Sequence, residues 1–230
     1  MRVVITGANR GIGLGLAQVY AGRGDEVWAT ARKPAEAKEL QALAKSSGGK
    51  VHVHEVDVQK TAQVNALAAA IGDTPVDVVI NNAGIASPWS AGLADFDEAE
   101  AMRCFDTNAL GAIRVTRALL GNLRAARGGK VVNMTSRMGS IGDNGSGHAY
   151  AYRMAKAALN MATRNIAHEV KGFGGIAIAL HPGWVKTSMG GSGATEDVGE
   201  TTARIVKRID GLKAEDSGRF WHAKGEELPW

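Results

Sequence analysis

The chain has 230 residues, of which 45% are apolar, and its 27 Lys and Arg against 23 Asp and Glu give a net charge of +4. This length fits one large α/β domain with a full apolar core. The basic residues are scattered, which argues against a nucleic-acid interface, and no apolar run approaches the length of a membrane span.

Strand-like and helix-like stretches alternate along the whole chain. Apolar, β-branched runs predict strands over 2–6, 25–31, 51–56, 76–81, 130–136 and 175–182, with a short one near 218–222. Helices are predicted over 11–23, from Pro34 onward, and over 60–71, 97–126, 149–171 and 196–210. This alternation predicts an α/β protein, a single-domain Rossmann fold over residues 1–230. Its doubly wound parallel sheet should have about seven strands, with helices on both faces.

The single cysteine and the N-terminus bear on the compartment. Cys104 excludes an intrachain disulfide and is predicted to be a small core residue. The strand that begins at Arg2 leaves no room for a signal peptide. A cytoplasmic location is therefore expected.

Two glycine-rich segments follow strands. The first is TGANRGIG at 6–13, where glycines allow a tight turn at a helix N-terminus that favours a bound phosphate, although a purely structural turn is the alternative. The second, KTSMGGSGAT at 186–195, is called the lid loop here. It follows the carboxyl end of a strand, which favours a mobile lid over an ordinary surface loop.

Six motifs in order carry a resemblance to a known family. They are TGANRGIG at 6–13, NNAG at 81–84, Asn108 in TNALG, Ser136 in NMTS, Tyr152 four residues before Lys156, and PGWVKT at 182–187. Together they resemble the short-chain dehydrogenases/reductases over nearly the whole chain. The likeness is greatest to the carbonyl-reductase branch that includes the sniffer and C-factor proteins.

The resemblance implies a nicotinamide cofactor and a set of residues that bind it. They are Gly7, Asn9, Arg10, Gly11, Ile12, Gly13, Arg32, Asp57, Val58, Asn81, Ala83, Gly84, Tyr152, Lys156, Pro182, Gly183, Val185 and Thr187. Asp57 would contact the adenine, although a simple turn or cap is its alternative role. It also implies a homodimer or homotetramer.

The end of the second strand indicates which nicotinamide cofactor is used. Thr30 and Ala31 lead into Arg32, without the acidic residue that would bind the ribose 2′-hydroxyl of NAD(H). Arg32 and Arg10 suit the 2′-phosphate of NADP(H), because a guanidinium donates two parallel hydrogen bonds. NADP(H) is predicted over NAD(H), and solvated surface arginines are the alternative.

Tyr152 and Lys156 are the predicted chemical centre. Four residues apart on a helix, they share one face, and the ammonium is expected to lower the pKa of the phenol. Tyr152 would then act as acid and base, whereas Tyr150 lies about 200° around the helix and should pack or line the pocket. A chance surface pair is the alternative.

Three further predictions complete the site. Ser136 is preferred to Ser140 for binding the substrate oxygen, because it ends a strand, and Asn108 is implied to hold a backbone carbonyl and a water in a proton relay. The substrate pocket is assigned to five side chains, with packing in the core as the alternative for each: Trp89, Met138, Tyr150, Trp184 and Met189. No metal is expected.

The predicted protein is therefore an NADP(H)-dependent oxidoreductase that interconverts a ketone or aldehyde and an alcohol. Its partner would be that small molecule, with no nucleic acid and no membrane. Two alternatives stay open: an NAD-dependent alcohol dehydrogenase of the same family, and a nucleotide-binding signalling protein with little turnover.

Overall fold

Seven parallel strands form one sheet in the computed structural model, which describes residues 1–230. The strands are β1 (Arg2–Ile5), β2 (Glu26–Ala31), β3 (Val51–Glu55), β4 (Val78–Asn81), β5 (Lys130–Met134), β6 (Ile176–His181) and β7 (Phe220–His222). Their spatial order is β3-β2-β1-β4-β5-β6-β7, so the direction of winding reverses between β1 and β4. The predicted doubly wound sheet is confirmed, and its switch point marks where ligands bind in such folds.

Eight α-helices cover both faces of the sheet. They are α1 (Gly11–Gly22), α2 (Lys38–Ser46), α3 (Thr61–Ile71), α4 (Glu98–Phe105), α5 (Gly111–Ala118), α6 (Leu120–Ala125), α7 (Tyr150–Val170) and α8 (Val198–Asp210). Successive strand residues point to opposite faces. Val3 and Ile5 therefore join a core with α1, α2 and α8, while Val4 joins a second core with α3, α5, α6 and α7. None of these helices has the length and apolar character needed to cross a membrane.

Most boundaries lie within two residues of the predicted ones, and three regions differ in their type of structure. A short 3-10 turn over Pro34–Glu36 precedes α2, which begins only at Lys38. The predicted helix over 97–126 is a series of segments, with a π-helical turn over Asp106–Leu110 between α4 and α5. Strand β5 ends at Met134 because the Ser136 side chain accepts the N–H of Met138 and turns the chain into a 3-10 turn over Arg137–Gly139.

Candidate active site

The turn between β1 and α1 is closely packed against the end of β4. A Cβ atom at Gly13 would lie 2.6 Å from Nδ2 of Asn82, so only glycine fits there. Asn82 fixes the turn by donating to the carbonyls of Thr6 and Gly7, at 3.0 and 3.1 Å. Helix α1 has no side-chain cap and no acidic residue in its first turn. Its free N–H groups therefore make this end a favourable site for a phosphate.

The end of β4 brings three motifs together. The N–H groups of Asn82 and Ala83 both donate to the Thr6 hydroxyl at 3.0 Å. Next to them, a Cβ atom at Gly84 would lie 3.0 Å from Oδ1 of Asn108 and 3.6 Å from Nζ of Lys156. NNAG therefore joins the glycine turn to the expected catalytic residues.

Asn81 does not point its side chain toward this edge. It is 4% exposed and donates to Oγ1 of Thr116 at 3.0 Å and to Oδ1 of Asn133 at 2.8 Å. Its amide therefore ties β4 to β5 and α5 inside the protein. Only its backbone is left for the predicted cofactor contact.

Asn108 lies in the π-helical turn and holds a loop backbone from both sides. Its Oδ1 accepts the N–H of Ile85 at 2.8 Å, and its Nδ2 donates to the Ile85 carbonyl at 2.9 Å. A π turn widens the helix locally and is often found at functional sites. Asn108 thus holds a backbone carbonyl, that of Ile85, as the resemblance implied. It also fixes the segment that follows NNAG.

Ser136, rather than Ser140, faces Tyr152. The Ser136 hydroxyl caps the 3-10 turn by accepting the N–H of Met138 at 3.2 Å, and, against the burial that raises it, its proximity lowers the pKa of the Tyr152 phenol. Ser140 is 2% exposed, and its hydroxyl accepts the N–H of Asp143 at 3.0 Å, so it serves the following loop. Ser136 lies two residues beyond β5 rather than at its last residue.

Tyr152 and Lys156 face the same buried space on α7. The Lys156 ammonium lies 5.7 Å from the centroid of the Tyr152 ring and donates to the Met134 carbonyl at 2.8 Å. Trp89 packs its ring edge-on against Tyr152, with centroids 5.1 Å apart. Tyr152 is 6% exposed and Lys156 5%. The pair is therefore held at the site by the end of β5 and by the Trp89 ring.

The expected lowering of the Tyr152 pKa is wrong for the groups that the protein itself supplies. Burial raises the pKa of Tyr152 to about 12, and the neighbouring Ser136 hydroxyl offsets only part of this. Burial also lowers the pKa of Lys156 to about 8. Desolvation disfavours both charged forms, because low-dielectric surroundings solvate an ion poorly. Tyr152 is therefore a neutral phenol at neutral pH, beside an amine that is still mostly protonated.

A cavity of about 320 Å³ lies beside the glycine turn. Arg10, Lys186 and Thr187 line it, together with Glu39 of α2. Thr187 lies close enough that a Cβ at Gly11 would be 3.2 Å from its Cγ2. The segment that follows β6 thus reaches over the glycine turn. Sequence reasoning missed Lys186, although its place directly after PGWV was a usable signal.

Three other predicted cofactor residues lie outside this cavity. Arg32 is exposed just after β2 and does not line that cavity. The Asp57 carboxylate accepts the N–H of Gln59 at 3.0 Å, which is the turn role left open above. Val58 packs against α5, where a Cβ at Gly111 would lie 2.7 Å from its Cγ2.

The five predicted pocket residues do not form one pocket. Trp89 contacts Tyr152, and Met138 lies half-buried in the turn after Ser136. Tyr150 instead packs edge-on against Phe96, with centroids 6.1 Å apart. These two rings line a separate cavity of about 470 Å³ that does not include Tyr152.

Trp184 and Met189 lie at the lid loop and are 55% and 38% exposed. The Trp184 indole donates to the Gly190 carbonyl at 2.8 Å, so its ring braces the loop. Phe96, which lies in a turn-rich segment without periodicity, gave no usable sequence signal.

Comparison with known proteins gives consistent matches. A family model described as short chain dehydrogenase matches residues 1–197. The protein named C-signal of Myxococcus xanthus is 47% identical over 167 residues, which are 73% of this chain and 100% of that protein. The carbonyl reductase Sniffer of D. melanogaster has a TM-score of 0.93 at 35% identity, covering 100% of this chain and 99% of that one. An NADPH-bound carbonyl reductase from chicken fatty liver has a TM-score of 0.93 at 33% identity, covering 100% and 98%.

Proposed function

Because the chain belongs to the short-chain dehydrogenase family, in its sniffer-like branch, we propose that it reduces ketones or aldehydes to alcohols with NADPH and can run the reverse reaction. The observation that carries this proposal is the convergence of Ser136, Tyr152 and Lys156 in one buried space. These are a hydrogen-bonding hydroxyl, a neutral phenol and a cation, as carbonyl reduction requires.

Each of the three side chains has a distinct proposed role. Bound NADPH would supply the hydride to the carbonyl carbon. Ser136 donates a hydrogen bond to the carbonyl oxygen, and Tyr152 gives that oxygen its proton as negative charge develops there. A phenol whose pKa is about 12 is still a stronger acid than an alcohol, so the proton moves in this direction. Lys156 stabilises the phenolate that is left.

Asn108 is proposed to hold the segment through which the site is assembled. Its two hydrogen bonds to Ile85 fix the chain directly after NNAG, next to Lys156. The ordered water of the family relay would lie between these groups. Removal of the amide would release both the N–H and the carbonyl of Ile85.

The preference for NADP(H) over NAD(H) is proposed from the charges at the glycine turn. Arg10 and Lys186 line the same cavity and outnumber its single carboxylate, Glu39. Arg32 lies exposed directly after β2, where an acidic residue would favour NAD(H). The chicken carbonyl reductase is named as NADPH bound, which agrees with this preference. In titrations of NADPH and NADH, equal affinities for the two nucleotides would exclude it.

We further propose a cytoplasmic homodimer that uses α4 and α7. The outward sides of these helices carry Met102, Met154 and Met161, which are 65%, 54% and 63% exposed. Three large apolar side chains on neighbouring helices are typical of a covered face. The single free thiol of Cys104 suits a reducing compartment. Sedimentation equilibrium of wild type and Met154→Lys tests the dimer, since a monomeric wild type would disprove it.

A second candidate function follows from one observation, the 47% identity to the protein named C-signal. On this reading the chain is a nucleotide-binding signalling protein with little turnover. An NADPH-oxidation assay on a panel of ketones and aldehydes separates the two. The signalling function is favoured if NADPH binds and no carbonyl compound is reduced.

Tyr152→Phe and Tyr150→Phe form a matched pair for testing the mechanism. Removing the Tyr152 hydroxyl should lower kcat on the order of 10²–10⁴-fold, which is the usual contribution of a positioned acid or base. Tyr150→Phe removes the same atom two residues away, where the ring packs on Phe96, and should leave most of the activity. Full activity in Tyr152→Phe would disprove the assigned role.

A further inference from the structure

The carboxylate of Glu196 lies against residues 182–187, the segment proposed to hold the nicotinamide. Glu196 follows the lid loop and directly precedes Asp197, the N-cap of α8. No motif points to it. We infer that Glu196 is a positioning residue that fixes both legs of the lid loop and the nicotinamide segment in place, an inference that rests on the proposed function.

The backbone of Glu196 bonds to the nicotinamide segment in both directions. Its N–H donates to the Trp184 carbonyl at 3.0 Å, and its carbonyl accepts the N–H of Lys186 at 2.9 Å. Val185, between these two, forms an isolated bridge with Glu196 and is 4% exposed. The two ends of the lid loop are thus joined at its base.

The Glu196 side chain packs against the backbone of Gly183. A Cβ atom at that glycine would collide with the carboxylate, and Gly183 has a φ of +100°, which favours glycine. The carboxylate therefore occupies the space that a side chain at position 183 would take. It therefore limits movement of the nicotinamide segment toward Glu196.

Two cations hold the carboxylate in this position. One oxygen accepts a hydrogen bond from the guanidinium of Arg204 on α8, and the other lies 3.3 Å from Nζ of Lys224, just beyond β7. The Glu196 side chain is only 13% exposed, whereas Arg204 is 31% exposed and Lys224 56%. An ion pair shielded on one side is worth more than a fully exposed one. Three separate elements, α8, the chain after β7 and the lid loop, are joined through this one group.

Glu196→Gln keeps the shape of the side chain and removes its charge, so it tests the inference directly. Glu200→Gln is the matched control. Glu200 also approaches Arg204, at 3.7 Å, but it is 74% exposed and lies on α8, outside the lid loop. In the free protein, Glu196→Gln should speed amide hydrogen exchange at residues 184–187 and 194–196. It should weaken NADPH binding on the order of tenfold by fluorescence titration, because a loosened segment must be ordered on binding.

The kinetic outcome distinguishes positioning from a general loss of stability. Glu196→Gln should raise KM for NADPH more than it lowers kcat, with Tm within a few degrees of wild type, and Glu200→Gln should change none of these. Unchanged exchange and unchanged NADPH affinity in Glu196→Gln would overturn the inference. If Glu196→Gln does not fold, Lys224→Met removes one cation and should show the same changes at smaller size, and their absence there would overturn it equally.

A failure of the proposed function can be distinguished from a failure of this inference. If wild type binds no nicotinamide nucleotide, the proposed function fails. The hydrogen-exchange comparison on the free protein still decides whether Glu196 fixes the lid loop.

Discussion

Gly139→Ala should displace Ser136, the proposed catalytic serine, without replacing any proposed catalytic side chain. Gly139 ends the turn that Ser136 caps, and a Cβ there would lie 2.7 Å from Cβ of Lys156 and 2.8 Å from its carbonyl carbon. Carbon atoms ordinarily stay about 3.5–4.0 Å apart, so the turn must move by roughly 1 Å. Helix α7 cannot yield easily, because it spans 21 residues and packs in the core.

The displacement should cost both stability and rate. Overpacking of this kind destabilises a protein by about 1–3 kcal/mol, and a 1 Å misplacement of a reacting group costs on the order of 10²-fold in rate. We expect kcat for NADPH-dependent ketone reduction to fall by about that factor while the NADPH Kd stays near wild type. The glycine turn and lid loop, which are proposed to bind the cofactor, are not disturbed.

Gly145→Ala is the control for Gly139→Ala. Gly145 lies in the following loop, where an added Cβ meets nothing within 4 Å and no positive φ is required. Both variants should be measured for kcat, NADPH Kd and Tm. A Gly139→Ala enzyme with wild-type kcat would refute the argument that Ser136 depends on close packing of this turn on Lys156.

Three further predictions concern buried or aromatic groups. Burial lowers the pKa of Lys156 to about 8 in the folded protein, below the ordinary value of a lysine. Between pH 8 and 10 the unfolded chain therefore binds more protons at this residue than the folded protein does. The contribution of Lys156 to the free energy of unfolding should rise with pH in that range. The free energy of unfolding of Lys156→Met, measured in urea, should lack that rise. Equal pH slopes of this free energy in wild type and Lys156→Met would contradict the lowered pKa. Cys104, whose pKa burial raises to about 11, should react with iodoacetamide at pH 8 on the order of 100-fold more slowly than in urea, and equal rates would contradict its burial. Trp89→Ala should raise KM for aromatic ketones with little change in Tm, because Trp89 is 46% exposed yet packs on Tyr152, and an unchanged KM would remove it from the substrate site.

The order of strands and helices could be predicted because each strand is a short β-branched run between turns. The shared helix face of Tyr152 and Lys156, the proposed catalytic pair, could also be predicted, since residues four apart on a helix share a face. Cys104 is in the core as expected, against Ala151 and Ala155. These properties depend on local sequence.

The features that sequence reasoning missed depend on contacts between distant segments. The π-helical turn that presents Asn108 is stabilised by Ile85, 23 residues earlier. The raised pKa of Tyr152 is the result of burial by the whole site, and a sequence shows the neighbouring lysine but not the loss of water. Tyr150 was assigned to the substrate pocket with Trp89, and its ring packs on Phe96 in a cavity that neither Trp89 nor Tyr152 lines.

The π-helical turn over Asp106–Leu110 also limits how the length of this chain can change. A π-helical turn holds one residue more than the matching α-helical turn, so removing one residue here would leave a regular, narrower helix. Asn108 would then be presented differently and would lose its two hydrogen bonds to Ile85. By contrast, residues 141–147 are exposed and join no strand or helix, so insertions of several residues there leave the catalytic geometry intact. Natural variation in length is therefore expected in that loop and not in the π-helical turn.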